Sequence, residues 1–200
     1  MKLYYTPGAC SFAPHIALYE SGLPFEISKV NLGEKKTAEG GDYLAVNPKG
    51  PVPALETPGG VLTEVGVILQ YIADHAQRRD LGAGEGALAQ YRYREMLNFI
   101  ATEMHKGFSQ YFNKEMTPEA RKVAEMKTTR ALNYLNDKLS KQAFLLGERY
   151  SVADSYFFTI LTWAPAVKID LSAWPAIQAY QARVGERPAV KQAQAAEKAA

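Results

Sequence analysis

The sequence predicts an α/β unit followed by an all-α unit, and three observations predict it. Short apolar runs of strand character flank a segment of helical period in the first 76 residues. Prolines and glycines then punctuate residues 47–60 as a loop and a hairpin turn. Beyond the polar, Gly-rich stretch 77–86, only helical periods recur.

Lys2–Tyr5 is apolar and aromatic and reads as a strand. Thr6, Pro7 and Gly8 break it. Residues 11–21 carry Phe12, Ile16 and Tyr19 at helical steps. After the break at Gly22 and Pro24, residues 25–30 alternate as a strand, and a helical crossover makes the two strands parallel. Residues 31–42 read as a polar surface loop with room for a short helix. Pro48, Pro51 and Pro53 exclude a regular helix or central strand from residues 47–53. A cis bond at Val52-Pro53 would turn the Val52 backbone outward, where it could pair with an extended peptide; a rigid trans loop is the alternative. Residues 54–56 and 61–63 form strands around a turn at residues 57–60, and a helix starts at Glu64 with Thr63 as its cap. The order βαβ-ββα matches a thioredoxin-like domain over residues 1–76, with a linker at 77–86.

In residues 87–200, Leu97, Ile100, Ala101, Met104 and Phe108 mark the apolar stripe of one long helix, 87–112. Asn98, Thr102 and His105 share a second face. Pro118 opens a helix to about residue 140, with Leu132, Leu135 and Leu139 as its stripe. Ser151 and Asp154 form a capping-box variant before an apolar central helix. Residues 172–184 and 188–199 give two further helices of the bundle, the last one a fraying end from Lys191.

Two hundred residues at 47% hydrophobic and 22% charged are ordinary for a globular protein, and a net charge of +2 argues against nucleic acid as a partner. One cysteine excludes an internal disulfide and a cysteine-rich metal site, and fits a reducing, cytoplasmic setting. His15, His75 and His105 lack metal-ligand spacing, and no apolar run reaches membrane-spanning length. The residue of greatest chemical interest is that cysteine, Cys10, where a strand hands over to a helix. Backbone N–H groups there stabilise a thiolate. A buried structural cysteine is the competing reading. His105 is a hydrogen-bonded core residue or a general base. Phe108, Tyr111, Phe112 and Trp163 are core aromatics or the lining of an apolar ligand site.

The motifs YTPGACS (residues 5–11), VNPKGPVPAL (46–55), LTE (62–64), NFIATEMHKGF (98–108) and SVAD (151–154), in this order, resemble the bacterial beta class of cytosolic glutathione transferases over essentially the whole chain. The resemblance implies glutathione as co-substrate, no metal, hydrophobic electrophiles as acceptors and a homodimer, with thiol–disulfide exchange or peroxide reduction as side activities. It implies that Cys10 meets the glutathione sulfur, with Tyr5 or Ser11 as rival partners and Ala9 beside them. Val52, before Pro53, would pair with the cysteinyl backbone. Glu64 would take the γ-glutamyl ammonium and Lys35 the glycyl carboxylate. His105 and Lys106 would serve the thiol, while Asn98 and Glu103 reach the neighbouring subunit. The chain departs from the family pattern at Val65, which offers an N–H but no hydroxyl. A non-catalytic carrier of hydrophobic ligands, or a glutathione-dependent dehalogenase or isomerase, are the other functions such a chain could have.

Overall fold

A computed structural model describes residues 1–78 and 80–199. Arg79, inside the expected linker, and Ala200 lie outside the described residues. The chain divides into two compact units, Met1–Gly82 with Arg187–Ala200, and Ala83–Glu186.

The first unit is built on a five-stranded sheet of order β3-β2-β1-β4-β5. Its strands are β1 (Lys2–Tyr5), β2 (Glu26–Asn31), β3 (Lys36–Thr37), β4 (Ala54–Thr57) and β5 (Gly60–Thr63). β1 runs parallel to β2, with Leu3 opposite Ile27, and antiparallel to β4, with Leu3 opposite Leu55. This is the thioredoxin-like arrangement, and the parallel pair follows from the crossover through α1 (Phe12–Ser21). α1 packs against α3 (Val65–His75) and α10 (Pro188–Ala199) as well as the sheet. Hence Ala13, Ile16, Ala17 and Leu18 are all fully buried, and the helix is enclosed on nearly every side, with His15 and Glu20 buried among its apolar residues. On the sheet's other face Tyr4, Val30, Tyr43, Val52 and Ala54 form a second cluster, covered by α2 (Tyr43–Val46).

Three expectations need correction here. The stretch 31–42 is not only loop: Thr37 pairs with Val30, and β3 is too short for any periodicity to reveal it. The cap of α3 is Glu64, at φ +72°, not Thr63. The last helix does not fray among helices of the second unit. It lies on α1, where Arg187 bonds the buried Glu20 carboxylate through Nε (2.5 Å) and Nη2 (3.0 Å). Near its end, Glu197 accepts the Gly8 N–H at 3.1 Å and meets His15 Nδ1 at 3.2 Å. A tail of alanine, lysine and glutamine looks solvated in sequence; only these buried partners show that it is anchored.

The second unit is helical. Its helices are α4 (Ala89–Phe99), α5 (Lys106–Ser109), α6 (Pro118–Leu139), α7 (Val152–Leu161), α8 (Ala164–Val167) and α9 (Pro175–Gly185). Pro118 and Pro175 occupy the first turns of α6 and α9, where a missing N–H costs nothing. The expected single helix 87–112 is interrupted: Ile100–His105 is π-helical, and Lys106 N–H reaches the Ala101 carbonyl five residues back. Every residue of α7 is buried, as expected of a central helix. Its start is fixed by Asp154. That carboxylate accepts Ser151 N–H (2.8 Å) and Oγ–H (3.0 Å) on one oxygen, and Leu145 N–H (2.9 Å) and Tyr180 O–H (3.1 Å) on the other. Burial pushes the Asp154 carboxyl up to about 6 against the pull of those four donors.

Candidate active site

In the first unit the turn from β1 into α1 is closed by Ser11. Its Oγ accepts Thr6 N–H (3.1 Å) and donates to Thr6 O (3.2 Å). Thr6 Oγ1 in turn donates to Val30 O at 2.8 Å, and Gly8 takes φ +74°. Phe12 N–H to Ala9 O and Ala13 N–H to Cys10 O then start α1. This leaves Cys10 half-buried at the helix start, with its thiol donating to Val52 O at 3.3 Å.

Val52 is presented by a loop with little freedom. Asn47, buried, donates from Nδ2 to Pro51 O (2.7 Å) and accepts Lys49 N–H (3.1 Å). Tyr43 O–H also donates to Pro51 O, at 2.8 Å. Lys35, itself at φ +55°, places Nζ 3.1 Å from Gly50 O. The Val52-Pro53 peptide is cis. Lys49 Nζ lies 2.5 Å from Glu64 Oε1, at the residue of positive φ before α3. Left-handed backbone at a glutamate is costly, and such residues cluster where a ligand is held. Cys10, Val52, Lys35 and Glu64 are therefore all tied to one loop, and Val65 follows as the first residue of α3 with its side chain buried. Ala9, half-buried, packs beside the Val52 cluster.

Two rivals to Cys10 fall away. Tyr5 is 1% exposed and its ring faces His15 on the α1 side of the sheet, at 5.6 Å. Burial, followed by the Glu197 charge, pushes its phenol pKa up. Ser11 is fully buried, and its hydroxyl is engaged in both directions by Thr6. Neither hydroxyl is offered to a ligand sulfur. Sequence reasoning missed Lys49, the cation beside Glu64. Its signal was present in the loop motif, since Gly50 (φ +83°) turns the chain immediately after it.

In the second unit the aromatic candidates separate. Phe108 is fully buried core, not ligand lining. Tyr111 turns to α6, where its O–H meets Thr128 Oγ1 at 3.3 Å and Arg121 lies over its ring. Phe112, half-exposed, and Trp163 pack edge to face at 5.7 Å. Trp163 also meets the His105 ring at 5.2 Å, and His105 Nδ1 bonds Tyr156 Oη at 2.7 Å. So His105, Phe112 and Trp163 belong together, and Phe108 and Tyr111 do not join them. Asn98 and Lys106 are exposed and Glu103 half-buried.

Residues 1–74 match the family model for the glutathione S-transferase N-terminal domain, and residues 99–188 match that for its C-terminal domain. Glutathione S-transferase GstA of Escherichia coli O157:H7 is 44% identical over 198 residues, covering 98% of each chain. The chain belongs to the glutathione S-transferase family. Solved transferases agree. A sphingomonad glutathione S-transferase, in complex with glutathione, is 43% identical with a TM-score of 0.94, covering 100% of each chain. The beta-class glutathione S-transferase of Sphingomonas chungbukensis is 42% identical with a TM-score of 0.91, covering 98% of each. The likeness to the beta class drawn from the motifs is borne out. Among the described residues of this transferase, no helix is long and apolar enough to cross a membrane, and no cluster of three or more metal-ligating side chains occurs.

Proposed function

We propose that this chain is a glutathione transferase that binds glutathione along Val52-Pro53, sulfur toward Cys10, and joins that sulfur to hydrophobic electrophiles. The observation that carries the reading is the Cys10 thiol at the start of α1, 3.3 Å from the Val52 carbonyl. Glutathione is an extended peptide. Its cysteinyl unit pairs with the Val52 backbone, which sets its sulfur beside Cys10 and the positive end of α1. Glu64 takes the γ-glutamyl ammonium, and the Val65 N–H at the start of α3 meets the γ-glutamyl carboxylate without needing a hydroxyl. Lys35 and Lys49 offer charge to the glycyl carboxylate.

Lowering the thiol pKa is the first chemical task; the thiolate then attacks the electrophilic carbon. With a chloronitrobenzene acceptor, a C–S bond forms, chloride leaves with the C–Cl electron pair, and the thiol proton passes to a base. In the helical unit His105 is that base, with Lys106 on the following turn as a nearby cation, and Phe112 and Trp163 favour an apolar acceptor. Asn98 and Glu103 serve the neighbouring subunit of a homodimer. A half-buried thiol at a helix start also favours exchange: Cys10 thiolate attacks glutathione disulfide, giving a mixed disulfide and glutathione thiolate. A reduced thiol of this kind suits the cytoplasm.

Retention on immobilised glutathione and turnover of a chloronitrobenzene test the reading together. Cys10→Ala is expected to abolish the mixed disulfide seen by intact-mass measurement. Glu64→Gln is expected to weaken glutathione binding by about tenfold or more, the loss typical for one hydrogen bond to a charged group. A chain that neither binds the column nor turns over the acceptor would overturn it.

A further inference from the structure

His105 sits at the end of the π-helical stretch, and that stretch changes where its ring can go. In a regular helix, His105 would share the exposed face of Asn98 and Thr102. The wider turn, marked by the Lys106 N–H to Ala101 carbonyl bond, carries it instead against α7. There the ring is held on two sides. Trp163 packs against it at 5.2 Å, and Tyr156 stands nearly perpendicular at 5.7 Å with its hydroxyl 2.7 Å from Nδ1. Tyr156 is 2% exposed, on a helix whose residues are all buried and whose start is fixed by Asp154. A hydroxyl on so fixed a support is a firm anchor for a half-exposed ring.

The geometry points to Tyr156 as a positioning residue of the reaction: its hydroxyl oxygen accepts the Nδ1–H of His105, which fixes the ring's orientation and tautomer and leaves Nε2 as the unprotonated nitrogen that takes the proton. The inference rests on the reading of His105 as the proton acceptor. An imidazole has two nitrogens, and the partner of one decides what the other does. A phenol that engages Nδ1 therefore has a chemical effect that a phenylalanine of the same shape lacks. The reading also gives the π-helical turn a purpose, since that turn ends at the residue whose Nδ1 meets this hydroxyl.

The test uses Tyr156→Phe, His105→Gln and the double variant in the full-length protein. Nitrogen-15 spectra of the imidazoles come first. Tyr156→Phe is expected to move both His105 nitrogen shifts toward the tautomer mixture of a free imidazole. It is expected to lower kcat about tenfold, a fraction of the roughly 10²–10⁴-fold that a whole general base contributes, while KM for glutathione stays unchanged. Added to His105→Gln it should cost nothing more, because the two residues act as one unit. Unchanged nitrogen shifts, or an equal loss in the His105→Gln background, would overturn the role of Tyr156 and leave His105 standing. Full kcat in His105→Gln would overturn the base reading and the inference together.

Discussion

The two units carry their candidate groups in opposite ways. In the first, these groups sit on loops whose backbone is left-handed at Gly8, Lys35, Gly50 and Glu64, and the contacts run through main-chain atoms at Pro51, Gly50 and Val52. In the second they sit on helical turns, with Trp163 in the turn between α7 and α8, and the contacts are ring to ring among His105, Phe112, Trp163 and Tyr156. The contrast teaches what each ligand demands. A peptide is read by backbone N–H and C=O groups, which regular structure consumes internally, so the chain must leave regular φ values to expose them. An apolar acceptor is held by side-chain surface, which a helix displays without any such departure.

The largest expected effect falls on the helical side. Asp154→Ala leaves the buried groups of Leu145, Ser151 and Tyr180 without their acceptor, and should cost about 3–5 kcal/mol in urea unfolding. Its counterpart in the first unit is Glu20→Ala. This strands Arg187 and Arg78, which are partly exposed, so about 2–3 kcal/mol is expected. A smaller change sharpens the contrast most. Glu64→Gly should raise stability by about 1 kcal/mol by relieving the backbone at φ +72°, while weakening retention on immobilised glutathione. A more stable variant that binds less would show strain kept for function; one that binds equally well would remove Glu64 from the site.

Smallest are two pH effects of opposite sign. Glu39, held down to about 2 chiefly by Ser28, contributes stability that is present above its unfolded value of 4.5 and lost as pH falls through that window. Asp154, raised to about 6 from 3.8, does the reverse: its contribution is present below 3.8 and lost as pH rises through 6. Stability measured against pH should therefore lose its slope below 4.5 in Glu39→Gln, and between 4 and 6 in Asp154→Asn.

Much of this was legible in the residues. The parallel crossover, the hairpin at residues 57–60 and the Asp154 cap all follow from local patterns with a mechanism behind them. What stayed hidden depends on contacts distant in sequence. Tyr5 and Ser11 look as available as Cys10 until the sheet buries one and Thr6 engages the other. Phe108 and Trp163 are alike as aromatic residues and both are buried, and only packing sets Trp163 against Phe112 and His105. The π-helical turn, too, gives no periodic signal, because one widened turn is too short to establish a second period.

The placement of α10 bears on the order of events during synthesis. Glu20 and His15 are made long before their partners, since Arg187 and Glu197 follow 167 and 182 residues later. A growing chain that has released the whole sheet still lacks the helix that covers one side of α1. The turn holding Cys10 therefore cannot reach its finished hydrogen bonding, Gly8 to Glu197 included, until the chain has been released through residue 197.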